Sequence, residues 1–388
     1  MTCLSFIFKG KKGSQEQAVP PHEDLGDLAF QIFTYKEMKL ATNGFNQANK
    51  IGEGGFGPVY RGRLRDGRSI AIKVLSTESK QGVREFLSEL TTLANIVHEN
   101  LVRLYGCCVE SNHRILVYNY LENNSLAQTL LGGPEGDGCG RFDWRTRVKI
   151  CVGVARGLAF LHGSVRPHIV HRDIKAGNIL LDSDMTPKIS DFGLAKLIPM
   201  DASHVSTRVA GTLGYLAPEY AIKGQLTRKA DVYSFGVLLL EIVSGRHNTN
   251  SRLPVEDRFL LERAWALYER DELAAIVDPA LNGDFAPDEA RRFLEVGLLC
   301  TQDSLKLRPS MSAVVRLLTG VEARTVGPIA RPGLISDFWV AGVGGTGLGS
   351  TTTETSSAAA AAASSSPFSS RNDTRASFTF TAIADRDG

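Results

Sequence analysis

The chain has 388 residues, with 44 Lys and Arg against 42 Asp and Glu, 43% apolar and 22% charged residues. That is enough for one large domain or two lobes with a real core, at an ordinary globular composition. A net charge of +2 excludes the strong basic excess of a nucleic-acid-binding chain, and no apolar run approaches the roughly 20 residues that span a bilayer.

Residues 1–32 read as a polar leader with a small basic start. Cys3 with Lys9, Lys11 and Lys12, and no acidic residue before Glu16, form a candidate peripheral membrane anchor, since one acyl chain plus a basic patch holds a protein to an anionic leaflet. A soluble leader with a chance cysteine is the competing reading. Thr2 stands where N-myristoylation needs glycine, which removes that route. The six cysteines are irregularly spaced with no CxxC. Without a secretory signal they read as reduced cytosolic thiols. The eight histidines form no zinc-like ligand cluster.

Residues 33–44 form a juxtadomain segment. Helical spacing begins after Thr34, a candidate N-cap, with Glu37 three residues on in a capping-box pattern. From about 47 to 75 the period changes to two, interrupted by Gly and by Arg65-Asp66-Gly67, which predicts antiparallel strands joined by a tight turn. Helical spacing returns over 83–97, and 101–109 and 114–120 are strand-like. The Gly-rich run 132–141 predicts a loop, and 144–162 a helix through Val148, Cys151, Val154, Leu158 and Leu161. Several helical segments follow to about 320. Strands first and helices after imply an α+β fold with a sheet-rich lobe (45–118) and a larger helical lobe (122–320), with a ligand cleft between them. Residues 321–388 are expected to be a disordered tail rich in Ser, Thr, Ala and Gly, most biased after about 340.

Gly52-Glu53-Gly54-Gly55-Phe56-Gly57 matches Gly-x-Gly-x-x-Gly, a weak signal alone. A dinucleotide fold would open a helix directly after it. Here Val59-Tyr60-Arg61-Gly62-Arg63-Leu64 alternates like a strand, so the glycines turn between strands, where their N–H groups can approach phosphates. In glycine loops that this one resembles, residues placed like Ile51 and Val59 flank an adenine ring. Lys73 ends the short apolar strand Ile70-Ala71-Ile72-Lys73, 16 residues after Gly57, which resembles a Val-Ala-Ile-Lys strand whose lysine reaches phosphates and pairs with a carboxylate on the next helix. Glu85 and Glu89 are both available. Glu89 lies between apolar residues on the face of Leu93 and is the better placed, whereas Glu85 beside Arg84 reads as a solvated charge.

The segment Val170-His171-Arg172-Asp173-Ile174-Lys175-Ala176-Gly177-Asn178 places a carboxylate, a lysine and an amide two and five residues apart. Asp173 can take a hydroxyl proton, Lys175 can hold a phosphoryl group, and Asn178 can bind a hard cation. Asp191-Phe192-Gly193 follows 13 residues after Asn178 and offers a second cation ligand. Ala217-Pro218-Glu219 closes the segment that Asp191 opens. Ser206 and Thr207 at its middle are the first phosphosite candidates, and Arg172 the candidate reader of a phosphate there. Thr212 reads as a neighbour of Asp173 and Lys175. By resemblance to enzymes that carry these motifs in this order, Glu219 is expected to pair with Arg308, and Asp231 to support the backbone around Asp173.

Taken together, residues 33–320 resemble a protein kinase, and closely the plant receptor-like branch. The resembling text includes Phe33-Thr34-Tyr35, Ala41-Thr42-Asn43-Gly44-Phe45 and Gly211-Thr212-Leu213-Gly214-Tyr215-Leu216-Ala217-Pro218-Glu219-Tyr220. With no ectodomain in the sequence, it is similar to receptor-like cytoplasmic kinases. The resemblance implies a bilobal fold with a small antiparallel-sheet N-lobe, one main N-lobe helix and a helical C-lobe. It implies ATP and Mg²⁺, with Mn²⁺ as an alternative, protein substrates, and an upstream receptor kinase as a candidate partner. Lys175 two after Asp173 resembles the serine/threonine-specific version. Tyr118 would be the gatekeeper. Asn119 and Leu121 would offer backbone groups to adenine, Ala71 and Leu180 would line the ring, and Lys73 with Glu89 would position the phosphates. Asn119 departs from the acidic residue usual there, and 132–141 looks longer than usual. A binding-only pseudokinase is the rival reading, against which no catalytic position is degraded.

Overall fold

In a computed structural model, residues 30–54, 57–75, 80–132, 142–200, 202–250, 253–254, 257–322 and 328–334 are described. The anchor residues Cys3, Lys9, Lys11 and Lys12, the glycine-rich run 133–141, and Gly55 and Phe56 lie outside them.

The first lobe runs β1 (Gln31–Ile32), α1 (Tyr35–Ala41), β2 (Lys50–Gly54), β3 (Gly57–Arg63), β4 (Ser69–Leu75), α2 (Lys80–Leu93), β5 (Leu104–Glu110) and β6 (His113–Asn119). Its sheet order is β1-β5-β6-β4-β3-β2. Thr34 caps α1 through a complete capping box with Glu37. In β4 successive side chains face opposite ways. Ile70 and Ile72 join Phe33, Met38, Cys108, Ile115 and Val117 in a core beneath α1. The other face of the sheet contributes Leu75, Cys107 and Leu116 to the core that holds Phe86, Leu90 and Leu93 of α2. Lys73 follows that alternation onto the α2 side.

Two boundaries differ from expectation. The sheet is antiparallel except at β1, which pairs in parallel with β5 although Gln31 and Ile32 fall in the segment read as leader. Gly106 makes this approach feasible, because a Cβ there would lie 1.9 Å from the Gln31 carbonyl oxygen. Phe33 N–H then donates to Cys107 C=O at 2.8 Å. A two-residue strand held by such a contact carries no periodicity to read.

The second lobe contains α3 (Leu126–Thr129), α4 (Trp144–Ala159), β7 (His168–Val170), β8 (Ile179–Leu181), β9 (Pro187–Ile189), β10 (Lys196–Ile198), β11 (Val205–Ser206), α5 (Pro218–Lys223), β12 (Gln225–Leu226), α6 (Arg228–Ser244), α7 (Leu260–Glu269), α8 (Pro287–Thr301) and α9 (Met311–Leu318). Helix α6 is buried at every residue from Ala230 to Ser244, as expected of a helix apolar on all sides at the centre of a lobe. Three short antiparallel pairs, β7/β10, β8/β9 and β11/β12, lie along the stretch from His168 to Leu226.

The expected disordered tail needs a correction over 328–334. Ile329 and Leu334 are buried in the main core. Tyr233 donates its hydroxyl to Gly333 C=O at 2.8 Å, and Gly333 N–H donates to Thr301 C=O at 3.0 Å. Two apolar anchors among matched polar groups offset the ordering entropy that the tail's composition cannot. Among the described residues no helix is long and apolar enough to cross a membrane.

Candidate active site

Lys73 Nζ lies 2.6 Å from Glu89 Oε1 and 2.9 Å from Asp191 Oδ1. The three groups come from β4, α2 and the turn after β9. Helix α2 is docked on that turn by Ser88, whose hydroxyl bonds Phe192 C=O at 2.9 Å and Ala195 C=O at 3.1 Å. Burial alone would pull Lys73 down, but the two carboxylates outweigh it and its pKa is raised. Burial would likewise raise Asp191, yet the Lys73 ammonium holds it below its ordinary value. The Tyr118 hydroxyl donates to the second oxygen of Glu89.

Glu85 does not stand in solvent as expected. It is 1% exposed, with Oε1 accepting from Gln81 Nε2 at 2.7 Å. Burial, opposed by that hydrogen bond, pushes its pKa up to about 7. A side chain four residues before Glu89 shares its helical face. Packing against the turn closes that face over both, since a Cβ at Gly193 would lie 3.2 Å from Glu85 Cγ. Spacing alone could have signalled the shared face, but not the element that covers it.

The segment 171–178 is held from below. Asp231, fully buried near the start of α6, accepts the backbone N–H groups of His171 and Arg172 at 2.8 Å each, and its Oδ2 lies 2.9 Å from His162 Nε2. Burial would raise the Asp231 carboxyl, but His162 and its other partners lower it. This pins the backbone so that Asp173, Lys175 and Asn178 converge. Thr212 Oγ1 donates to Asp173 Oδ1 at 2.6 Å and accepts from Lys175 Nζ at 2.8 Å. Lys175 Nζ is also 3.1 Å from Asp173 Oδ2. Asn178 Nδ2 donates to the Asp173 carbonyl at 2.8 Å and to its Oδ2 at 2.9 Å. His162 had no sequence signal, since its partner is 69 residues away.

The segment from Asp191 to Glu219 is anchored at both ends. Glu219 forms a two-pronged bridge with the buried Arg308 at 2.9 Å on each arm. Arg172 has φ 74°, and its carbonyl oxygen lies so near Gly211 that a Cβ there would sit at 2.5 Å. With φ +130° at Gly211, only glycine serves. Ser206 is exposed and Thr207 half-buried, beside the β11/β12 pair, where Thr207 N–H donates to Gly224 C=O at 3.0 Å.

At the other lip, Gly54 pairs with Gly57 and Gly52 with Val59, so a hairpin joins two strands where a dinucleotide fold would open a helix. Ile51 is 40% exposed and Glu53 pairs with Lys50. Ala71 pairs with Tyr118 across β4 and β6. Leu121 is buried, and Leu180 sits on β8 opposite Ser125. Asn119 accepts Arg103 N–H on its side-chain oxygen at 2.8 Å, and its own N–H donates to Arg103 C=O at 3.1 Å. The amide that departs from the usual acidic residue therefore ties the hinge to β5. Among the described residues no cluster of three or more His, Cys, Asp or Glu is arranged to hold a metal.

Comparison with known proteins agrees with this geometry. A family model described as protein tyrosine and serine/threonine kinase matches residues 45–318. Cold-responsive protein kinase 1 of Arabidopsis thaliana is 67% identical over 308 residues, 79% of each chain. Two probable LRR receptor-like serine/threonine-protein kinases of the same plant are 53% and 55% identical over 313 residues, 80% of this chain and 30% of theirs. The chain thus spans under a third of those two relatives. It belongs to the protein tyrosine and serine/threonine kinase family, in the plant receptor-like serine/threonine branch.

Proposed function

We propose that Asp173, Lys175, Lys73 and Glu89 carry the transfer of the ATP γ-phosphoryl group to serine and threonine hydroxyls of protein substrates. The observation that supports this most is the closed Lys73–Glu89 pair with Asp191 on the same ammonium, because such an array sets a nucleotide and its cation in one orientation. Kinase-family membership implies ATP and a divalent metal. The donor set suits Mg²⁺, which takes one or two carboxylates plus phosphate oxygens and water. Asn178 spends its NH₂ on Asp173, so its oxygen is available to a cation. Asp191 engages Lys73 through Oδ1, leaving its second oxygen for the same purpose. The cation, when bound, neutralises charge on the phosphates.

The acceptor hydroxyl donates to Asp173, which orients it and takes its proton as the new O–P bond forms and the bond to the β-phosphate breaks. Lys175, 3.1 Å from Asp173 Oδ2, balances the charge on the transferred group. The glycine hairpin, with Gly52, Gly54 and Gly57, offers backbone N–H groups to phosphates. Ile51, Val59, Ala71, Leu121 and Leu180 line the adenine, with Tyr118 at the back and Asn119 in the hinge. Phosphorylation at Ser206 or Thr207 regulates the segment. We further propose an upstream receptor kinase as partner and attachment to the inner membrane face through Cys3 and the nearby lysines.

Phosphoamino-acid analysis of a generic protein substrate tests the assignment. Wild type is expected to yield phosphoserine and phosphothreonine, and Lys73→Met neither. Nucleotide binding without turnover by wild type would favour a binding-only protein.

A further inference from the structure

Arg172 has partners that its sequence position did not suggest. Its Nε and Nη2 reach the Tyr220 hydroxyl at 3.0 and 2.5 Å, its Nη1 the Leu194 carbonyl at 3.1 Å, and its Nη2 the Arg208 carbonyl at 2.7 Å. Tyr220 is 1% exposed. The same phenol oxygen accepts Ala210 N–H at 3.0 Å and donates to Arg208 C=O at 3.2 Å. One hydroxyl therefore joins the residue beside Asp173 to the middle of the segment that Asp191 opens, while Arg172 reaches its beginning at Leu194. Tyr220 is itself fixed, because it follows Glu219, which is locked to Arg308. Arg172 is equally fixed at its backbone by Asp231.

We propose that Tyr220 is a positioning residue for phosphoryl transfer. Its hydroxyl holds Arg172, and through it the 194–210 segment, in the arrangement that keeps Thr212 on Asp173. This rests on the kinase reading above and extends it to how the site stays assembled before any loop phosphate arrives. The acceptors just named for Arg172 are all neutral, so its charge can still draw a phosphate on Ser206 or Thr207. Such a phosphate would take over the holding role and make the hydroxyl dispensable. Two devices then act on one guanidinium, a built-in phenol and an acquired anion.

The experiment compares the full chain as wild type and Tyr220→Phe, which keeps the ring and its burial. Each is prepared free of phosphate by phosphatase and, separately, after phosphorylation by wild-type protein. In the phosphate-free state the variant is expected to lose about tenfold in kcat with KM for ATP within about twofold, the scale for losing one hydrogen bond to a charged group. Its Ala210 amide should exchange with solvent about tenfold faster. After phosphorylation its kcat should return to within about threefold of wild type. Equal kcat in the phosphate-free proteins, or an undiminished loss after phosphorylation, overturns the proposal. Wild type that transfers no phosphoryl group would sink the kinase reading instead, while unchanged exchange at Ala210 would still refute the Tyr220 contact.

Discussion

The Lys73 ammonium and the Glu89 carboxylate meet at 2.6 Å inside the protein, with Glu89 only 1% exposed. Tyr118 bonds the other oxygen of the same carboxylate, so Glu89 links β4, β6 and α2. Replacing it by glutamine keeps the shape and removes the charge. Glu89→Gln is expected to lower kcat/KM about a hundredfold, since the buried ammonium then loses the charge of one of the two carboxylates that fix its position. Steady-state kinetics at varied ATP would check this. Unchanged kcat/KM would mean that the pair does not organise the site.

Glu241 makes a pH prediction. Tyr215 donates to its Oε2 at 2.7 Å and Asn248 N–H to its Oε1 at 2.8 Å. Burial nevertheless raises its carboxyl from the ordinary 4.5 to about 7. Below about 4.5 the group is protonated in both folded and unfolded chains. Between there and about 7 the unfolded chain ionises while the folded one does not, so its contribution to stability falls with rising pH and levels off above. That interval amounts to about 3 kcal/mol. Glu241→Gln lacks this titration. Denaturant melts on either side of the window should therefore show the variant gaining on wild type by about that amount at the higher pH. A gap independent of pH would refute the raised carboxyl.

The packing of 328–334 predicts that truncation after Glu322 destabilises the helical lobe. Ile329 and Leu334 leave the core, each worth about 1.5–3 kcal/mol when fully buried. Tyr233 also loses its acceptor at Gly333. A thermal melt should show a clear drop in Tm, and an unchanged Tm would mean that this stretch adds nothing.

Much of the molecule was legible because its signals are local. Thr34 and Glu37 lie three residues apart, and so do the parts of their capping box. Lys73 at the end of the apolar strand Ile70-Ala71-Ile72 directed attention to a carboxylate on the next helix, and the spacing of Asp173, Lys175 and Asn178 marked one short segment as chemical. Glu89 was separable from Glu85 by its apolar neighbours, yet the burial of Glu85 depends on the turn at Gly193, more than 100 residues away. Tyr220 lies 48 residues from Arg172, with no periodic pattern between them. β1 and 328–334 were missed for a related reason. Each is too short for a period, and each is held by contacts whose other half lies elsewhere in the chain.

The central claim is that Asp173 acts on the acceptor hydroxyl while other residues hold the nucleotide. Asp173→Asn keeps an oxygen for Thr212 and tests that division directly. Calorimetric binding of ATP with Mg²⁺ and single-turnover transfer to a serine-containing peptide should be measured on the same preparation. The account predicts affinity within about threefold of wild type and transfer about a thousandfold slower, the scale of losing a positioned base. Transfer at the wild-type rate with equal binding would contradict it.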